Sequence, residues 1–403
     1  MEFLKLVKRE VIYEEYFPLI KPTDIEEIDV KNALNRVLAE DVISPEDLPP
    51  WRRSTVDGYA VCAEDTKGAT PSNPVFLSLK GEIKMGELPK IKLKRGEAFK
   101  IYTGGILPEG STAVVMNEYT NEIKEIIEIS KGVQDGENVV HVGEDVRKGE
   151  ILKIKGDILR PQDIGALLAV GINNVKVYRK PFISIIPTGD ELVEPETEPG
   201  PGKIREINTF VIKNLFMIEG YEVKRYRIIR DSREEFIQAI KECLAEFHLV
   251  LIAGGSSKGT RDYTVEAINS VGKPGVLFHG VHIKPGKPTI FAIIDGKPVL
   301  GLPGHPVSSF ISSFLFALPA ARKLEGKNEF LPHPSRWVKA GRNIPSQNGR
   351  EEWIRVKMDG NYAIPIFSES AIISSLVKAD GLVKIPLEKE GVHEGEEVEF
   401  YKI

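Results

Sequence analysis

The sequence predicts a multidomain fold of the α/β plus β class, in which a central doubly wound α/β domain is joined to a helical domain and to two β domains. Its 403 residues correspond to about two to four domains, at roughly 100–200 residues per domain. Between residues 181 and 326, strand-like and helix-like segments alternate, which is typical of a mainly parallel sheet with helices on both faces. Elsewhere, short apolar runs lie between glycines and prolines, of which the chain has 36 and 27, and such runs indicate β structure.

The N-terminal region has the pattern of a helical domain that is interrupted by an insertion. Residues 23–40 predict a helix, because Thr23 or Asp24 can cap it and apolar residues recur on one face. From residue 48 to residue 145 the pattern changes to short apolar strands separated by turns. A second helix is predicted to begin at Pro161, since proline is favoured at the first helical position. We therefore expect a discontinuous helical domain at residues 1–47 and 146–178, around an inserted β domain at residues 48–145.

The α/β region divides into regular elements. Ser232 and Glu235 form a capping box that opens a helix, and Asp295-Gly296 is a hairpin signal between the last two strands. The predicted strands are 182–186, 222–229, 249–253, 276–283, 289–294 and 298–302, and further helices are predicted at 208–218, at 262–271 and from Pro306 onward. These elements define an α/β domain at residues 179–330. The short strands and many turns of residues 331–403 predict a small C-terminal β domain.

The composition argues against several classes of protein. A net charge of −5, from 54 basic and 59 acidic side chains, gives no basic excess for a nucleic-acid partner. No run of about eighteen apolar residues occurs, and the charged N-terminus is unlike a secretory signal, so we expect a cytoplasmic protein without a membrane span. Two cysteines, Cys62 and Cys243, cannot form a disulfide framework or a four-thiolate zinc site. The seven histidines lack metal-binding spacing and are expected to be structural or surface residues.

Glycines and polar side chains follow four of the predicted strands, in the segments 188–191, 254–262, 283–288 and 302–306. In an open α/β sheet, ligands bind outside the carboxyl ends of the strands, where helix N-termini attract anions. Carboxylates and hydroxyls without thiols favour a hard cation such as Mg²⁺. The four edges together therefore favour a phosphorylated, anionic ligand that is bound with a divalent metal.

Each edge taken alone also has a plain structural explanation. Asp262 can cap a helix, Gly254 and Gly255 can be turn glycines, and Lys284 and Lys287 can be solvated loop charges. The sequence contains no Walker loop and no nucleophile elbow, so we expect no covalent catalysis. The coincidence of four such edges in one domain nevertheless favours a ligand site.

Eight motifs in order along the chain carry a family resemblance. They are PWRRSTVDGYA (50–60), IYTGGILPEG (101–110), GEDVRKG (143–149), TGDEL (188–192), IRD (229–231), GGSSKGTRDY (254–263), IKPGKP (283–288) and GLPGHP (301–306). In these motifs the chain resembles the molybdopterin molybdotransferases of the MoeA family, which includes the E domain of gephyrin. The resemblance implies an elongated homodimer, an α/β domain that binds molybdopterin, and a β barrel as the C-terminal domain. It places the active cleft between the α/β domain of one subunit and the β domains of the other.

The resemblance also implies a reaction and a set of site residues. Adenylylated molybdopterin is cleaved, AMP leaves, and molybdate or tungstate is placed on the dithiolene sulfurs with the help of Mg²⁺ held by Glu191, Asp231 and Asp262. With those three, the implied catalytic residues are Asp57, Thr103 and Asp145. The implied substrate-binding residues are Gly254, Gly255, Ser257, Lys284, Lys287, Pro303, Pro306, Arg350 and Ser374, of which the last two lie where the family pattern aligns loosely.

Some residues depart from the family pattern, and several alternatives stay open. His305 stands where an asparagine is common, and Lys258 adds a cation to the glycine-rich turn. The composition, low in glutamine and rich in Lys, Glu and Ile, resembles that of heat-adapted proteins and keeps tungstate open beside molybdate. The alternatives are a pterin-binding scaffold without catalysis, a molybdopterin adenylyltransferase, and an unrelated phosphosugar enzyme. The adenylyltransferase and the apo-forms of molybdenum or tungsten enzymes are the expected protein partners.

Overall fold

The computed structural model describes residues 6–230, 232–254, 261–347 and 349–403, with the backbone alone for residues 261–263. Up to residue 178 its helices and strands are α1 (Arg9–Val11), β1 (Ile25–Asp29), β2 (Val42–Ile43), β3 (Arg53–Ser54), β4 (Gly58–Val61), β5 (Val75–Glu82), β6 (Glu97–Ile101), β7 (Ala113–Met116), β8 (Thr120–Ile123), β9 (Ile126–Ile129), β10 (Val139–Val140), β11 (Ile151–Lys153), α2 (Pro161–Ala169) and β12 (Asn174–Tyr178). Within these described ranges, no helix is long and apolar enough to cross a membrane.

The first domain is built from two separate parts of the chain. Strand β1 pairs antiparallel with β12, β2 pairs with β11, and α2 begins at Pro161 as predicted. The predicted helix at residues 23–40 is wrong, because residues 25–29 form strand β1 and only a short 3₁₀ turn (Val30–Asn32) follows. Asp29 caps that turn, and Asn35 has a φ of 60°, which a right-handed helix does not allow. Pairing with β12, far away in sequence, decides the conformation here.

The inserted domain is a six-stranded curled sheet in the order β7-β4-β6-β5-β9-β8. Alternating residues of its strands point to two separate cores, one containing Tyr59, Val61 and Ile127, the other Ala60, Phe99 and Val114. The predicted all-β character of this region is confirmed.

The α/β domain follows at residue 182. Its elements are β13 (Phe182–Thr188), β14 (Leu192–Val193), β15 (Ile204–Arg205), α3 (Asn208–Ile218), β16 (Glu222–Arg225), α4 (Arg233–Glu246), β17 (Leu249–Gly254), α5 (Arg261–Val271), β18 (Pro274–His279), β19 (Ile283–Lys284), β20 (Ile290–Ile294), β21 (Lys297–Leu302), α6 (Pro306–Ser312) and α7 (Leu318–Leu324), with a π turn (Ser313–Ala317) between the last two. The central sheet has the order β16-β13-β17-β21-β20-β18, in which the first four strands run parallel and β20 and β18 run antiparallel to their neighbours.

Helices cover both faces of this sheet, as predicted. Helices α3, α6 and α7 pack on one face and α4 and α5 on the other, and successive residues of β17 alternate between the two cores. Ser232 accepts a hydrogen bond from the Glu235 amide and caps α4. The predicted strand at 276–283 is divided, since β18 ends at His279 and Ile283–Lys284 forms the separate strand β19.

The C-terminal domain is a closed barrel. Its elements are β22 (Arg336–Ala340), β23 (Ile344–Pro345), β24 (Glu351–Asp359), β25 (Tyr362–Pro365), α8 (Ser374–Val377), β26 (Gly381–Ile385), β27 (Gly391–Val392) and β28 (Glu397–Lys402). Strands β24, β25, β22, β28 and β26 form a ring, because β26 also pairs with β24. Strand β19 of the α/β domain adds to the outer side of β24, so the two domains share a strand pairing.

Trp353 fixes the barrel against the α/β domain. Its side chain is 1% exposed, packs with Phe314 and Tyr401, and donates a hydrogen bond to the Glu351 carboxylate at 2.7 Å. Trp353→Ala is therefore expected to lower the free energy of unfolding by about 3–5 kcal/mol, because it leaves a large cavity at the domain contact. Denaturant unfolding checks this, with Trp337→Ala, 58% exposed on the same barrel, as the matched control. Equal effects of the two substitutions would contradict the assigned role.

Candidate functional site

A cavity of about 860 Å³ lies at the carboxyl edge of the central sheet. The ends of β13, β17 and β21 form its floor and the loop after β19 forms one side. Its opposite wall comes from the barrel of the same chain, through β24 and the loop at residues 368–370. The family resemblance places the β domains of a second subunit at the cleft, and in this chain its own barrel also lines the cavity.

The end of β13 places Glu191 at this cavity. Thr188 lies opposite Gly254 on the neighbouring strand, and a Cβ at Gly254 would lie 2.2 Å from the Thr188 carbonyl oxygen. Only glycine fits at position 254, and its φ of 115° is also a backbone conformation that favours glycine. The exposed Glu191 carboxylate folds back over Gly189, where a Cβ would come within 2.7 Å of it. These two glycines allow the strand ends and the carboxylate to line the cavity together.

The loop after β19 brings in two lysines. Lys284 faces Glu352 across the parallel pair of β19 and β24, and its Nζ lies 2.9 Å from the Glu352 carboxylate. Ser346 donates a second hydrogen bond to that carboxylate at 2.8 Å. Lys287 also lines the cavity, and among the described residues no carboxylate lies within ion-pair distance of it. Lys287 is therefore available to an anion, whereas Lys284 is held in place by the barrel.

Arg355, which the sequence reasoning missed, is the most buried cation of the cavity. It is 6% exposed, its Nη2 donates to the Ser368 carbonyl at 2.5 Å, and its Nε has no partner within the described structure. Burial lowers the pKa of the guanidinium, and the nearby Glu352 carboxylate opposes that shift. The sequence did contain a signal for this residue, because Arg355 is a charged side chain inside the apolar strand segment WIRV (353–356), and charged residues are rarely buried without a role. The predicted Arg350 lines the same cavity and is the residue immediately before β24.

The turn after β21 meets a loop of the barrel. Pro303, Gly304 and His305 line the cavity, and Pro306 begins α6 directly behind them. His305, which was expected to be a structural or surface residue, is exposed, contacts the Ser370 hydroxyl and lines the cavity together with Ser370. The predicted Ser374 instead begins α8, is exposed, and does not line the cavity.

Three predicted catalytic residues lie in the inserted domain and at its border. Asp57 accepts hydrogen bonds from the Thr103 amide at 2.8 Å and the Thr103 hydroxyl at 2.9 Å. The amide and then the hydroxyl lower the pKa of Asp57, because both stabilise its ionised form. Asp145 lies exposed in the turn that leaves this domain. None of the three lines the cavity described above.

The side chains of four further predicted site residues are not described by the structure. Asp231, Gly255 and Ser257 lie outside the described residues, and Asp262 is described by its backbone alone, as the second residue of α5. Among the side chains that are described, no group of three or more His, Cys, Asp or Glu could hold a metal ion. Glu191 is thus the predicted magnesium ligand whose position is known, and it lies at the cavity.

Comparisons with known proteins identify the same family in all parts of the chain. Family models match residues 4–171 (MoeA N-terminal region, domain I and II), 184–323 ("Probable molybdopterin binding domain") and 338–403 (MoeA C-terminal region, domain IV). A molybdopterin biosynthesis protein of Methanocaldococcus jannaschii is 39% identical over 385 residues, covering 94% of this chain and 92% of that protein. A molybdopterin molybdenumtransferase of Staphylococcus epidermidis is 33% identical over 366 residues, covering 89% of this chain and 86% of that protein.

A solved structure gives the same result for the fold. The molybdopterin biosynthesis MoeA protein of Pyrococcus horikoshii is 38% identical, with a TM-score of 0.85 and coverage of 99% of both chains. The four regions of the structure, the cavity at the sheet edge and the order of the three matching models lead to one conclusion. The chain belongs to the MoeA family.

Proposed function

We propose that this protein inserts molybdate or tungstate into adenylylated molybdopterin in the cytoplasm, in a magnesium-dependent reaction that releases AMP. Its membership of a family whose relatives are named molybdopterin molybdenumtransferases supports the general activity, a transferase of molybdenum cofactor biosynthesis. One observation carries the finer proposal. Lys287 and Arg355 share one cavity with the carboxylate of Glu191, so the site can receive an anion and a divalent cation side by side.

The cations of the cavity can bind the two anionic substrates. Arg355 is held by the Ser368 carbonyl, and its planar guanidinium suits the paired oxygens of a phosphate or an oxometal dianion. Lys287 can neutralise a second charge from the neighbouring loop. Lys284 is already paired with Glu352, so it adds less net charge but a fixed hydrogen-bond donor. The cavity therefore orients the anions through groups that are positioned before the substrates arrive.

The residues near Glu191 fit a magnesium ion. The donor set is made of oxygens, since Glu191 is an exposed carboxylate and the Thr188 hydroxyl beside Gly254 is buried without a partner in the described structure. Glu191, together with Asp231 and Asp262 as the family resemblance implies, would hold the ion. When bound, Mg²⁺ supplies charge neutralisation between the anions and polarises the scissile phosphoryl group.

We further propose that a second subunit completes the site. Asp57, Thr103 and Asp145 are exposed and lie away from the cavity of their own chain, so they are free to meet the cavity of a partner. This arrangement is the homodimer that the family resemblance implies. Adenylyltransferase and apo-enzyme partners would deliver the substrate and take up the product.

The decisive experiment supplies adenylylated molybdopterin, Mg²⁺ and either molybdate or tungstate, and measures AMP release. We expect AMP release that requires both the oxyanion and Mg²⁺, with the relative rates identifying the preferred oxyanion. Tight pterin binding without AMP release would instead identify a scaffold. Adenylylation of molybdopterin from ATP would identify an adenylyltransferase.

Lys287→Ala is expected to raise the KM for the oxyanion by about tenfold or more, because a charge-assisted hydrogen bond of about 1.5–3 kcal/mol is lost. The turnover at saturation should change less, since the lysine contributes mainly to binding. Steady-state kinetics with varied molybdate measure both constants. Lys241→Ala, on the exposed face of α4, is the control, and an unchanged KM in the Lys287 variant would contradict this role.

A further inference from the structure

A hydrogen bond between His305 and Ser370 joins two domains at the cavity wall. His305 lies in the turn after β21, directly before α6, and Ser370 lies in the barrel loop that follows β25. The imidazole Nδ1 lies 2.9 Å from the Ser370 hydroxyl oxygen, and the Val307 amide donates to the Ser370 carbonyl at 3.1 Å. The backbone bond fixes the loop, so the side-chain bond decides where the hydroxyl proton points.

The direction of this bond depends on the charge of the ring. A neutral imidazole that carries its proton on Nε2 accepts at Nδ1, so the Ser370 hydroxyl donates to the ring and turns its lone pairs elsewhere. An imidazolium has a proton on Nδ1 and can only donate, so the Ser370 oxygen accepts and its O–H becomes free to donate to another group. Both side chains face the cavity, where an oxyanion would be that other group.

We propose that His305 is a positioning residue that strengthens oxyanion binding when it is protonated, by turning the Ser370 hydroxyl toward the anion. The inference rests on the proposed function of this cavity. Among the described side chains, the charged groups that share the cavity with His305 are Glu191, Lys284, Lys287, Arg350, Glu352, Arg355 and Glu369. Side chains of these types ordinarily titrate outside pH 5.5–8.5, whereas an imidazole titrates within it. A change of affinity in that range that disappears in a His305 variant therefore comes from the histidine.

Calorimetric titration of the intact protein with molybdate alone, at micromolar concentration and at pH 5.5 and 8.5, tests the inference. We expect binding about tenfold tighter at pH 5.5, equivalent to about 1.4 kcal/mol. His305→Asn, which keeps a polar side chain but cannot titrate, and Ser370→Ala, which keeps the backbone bond, are each expected to reduce this ratio to about twofold or less. His333→Asn, exposed and outside the cavity, should keep the full ratio.

The outcomes separate the inference from the proposed function. A tenfold ratio that persists in the His305→Asn variant, or a wild-type affinity equal at both pH values, overturns the role of His305 while the cavity remains an oxyanion site. Absence of molybdate binding at every pH overturns the proposed function as well. Circular dichroism of each variant confirms that an altered ratio comes from a folded protein.

Discussion

Arg355→Met is expected to lower turnover by about 10²–10³-fold while leaving the free energy of unfolding unchanged or higher. The loss of activity follows because a preorganised cation that faces the reacting anions is worth about 2.7–4 kcal/mol in the transition state. The effect on stability has the opposite sign, since the guanidinium is 6% exposed and has no ion pair among the described residues. An apolar side chain of similar length avoids its desolvation cost, and loses one hydrogen bond to the Ser368 carbonyl.

Two measurements on the same variants check this prediction. AMP release gives the turnover, and thermal unfolding without substrate gives the stability. Arg355→Lys keeps the charge but removes the planar fork, so it should recover only part of the activity. Arg336→Met, exposed on β22, is the control and should affect neither quantity. A loss of activity that is matched by a loss of stability would show that Arg355 serves the fold of the barrel.

The floor of the site could be predicted from sequence because it depends on local patterns. Each parallel strand is a recognisable apolar run in the sequence, and the carboxyl ends of such strands meet at one edge of the sheet. Glu191, Gly254, Lys287 and Pro303 therefore came together as expected, although they are far apart along the chain. Other local signals were equally informative: the capping box predicted the start of helix α4, and the Asp-Gly turn predicted the hairpin of β20 and β21.

The barrel wall could not be predicted in this way, because long-range pairing creates it. Lys284 lies beside Glu352 only through the pairing of β19 with β24, and this register then carries Arg355 into the cavity. No periodicity near either strand specifies that register. Ser370 rather than the predicted Ser374 lines the cavity for the same reason, since the position of its loop is set by the Val307 amide of the α/β domain.

Glu191→Gln is expected to reduce turnover by about 10²–10³-fold and to raise the Mg²⁺ concentration needed for half-maximal activity. The substitution keeps the size of the side chain but removes the charge that a hard cation requires. Two anions held about 4 Å apart repel each other by about 4 kcal/mol at an effective dielectric constant of about 20, which is close to three orders of magnitude in rate. The folded state should be little affected, because the carboxylate is exposed.

A magnesium titration of AMP release distinguishes this role from a purely structural one. If Glu191 helps to hold the ion, higher Mg²⁺ should partly restore the variant, since mass action compensates for a weakened site. Glu198→Gln, exposed in the same loop, should follow the wild-type titration curve. A Glu191 variant whose Mg²⁺ requirement is unchanged would remove the carboxylate from the metal site and leave it as a residue that shapes the turn over Gly189. Because Gly189 has no side chain where that carboxylate lies, Gly189→Ala should shift the same titration in the same direction as Glu191→Gln.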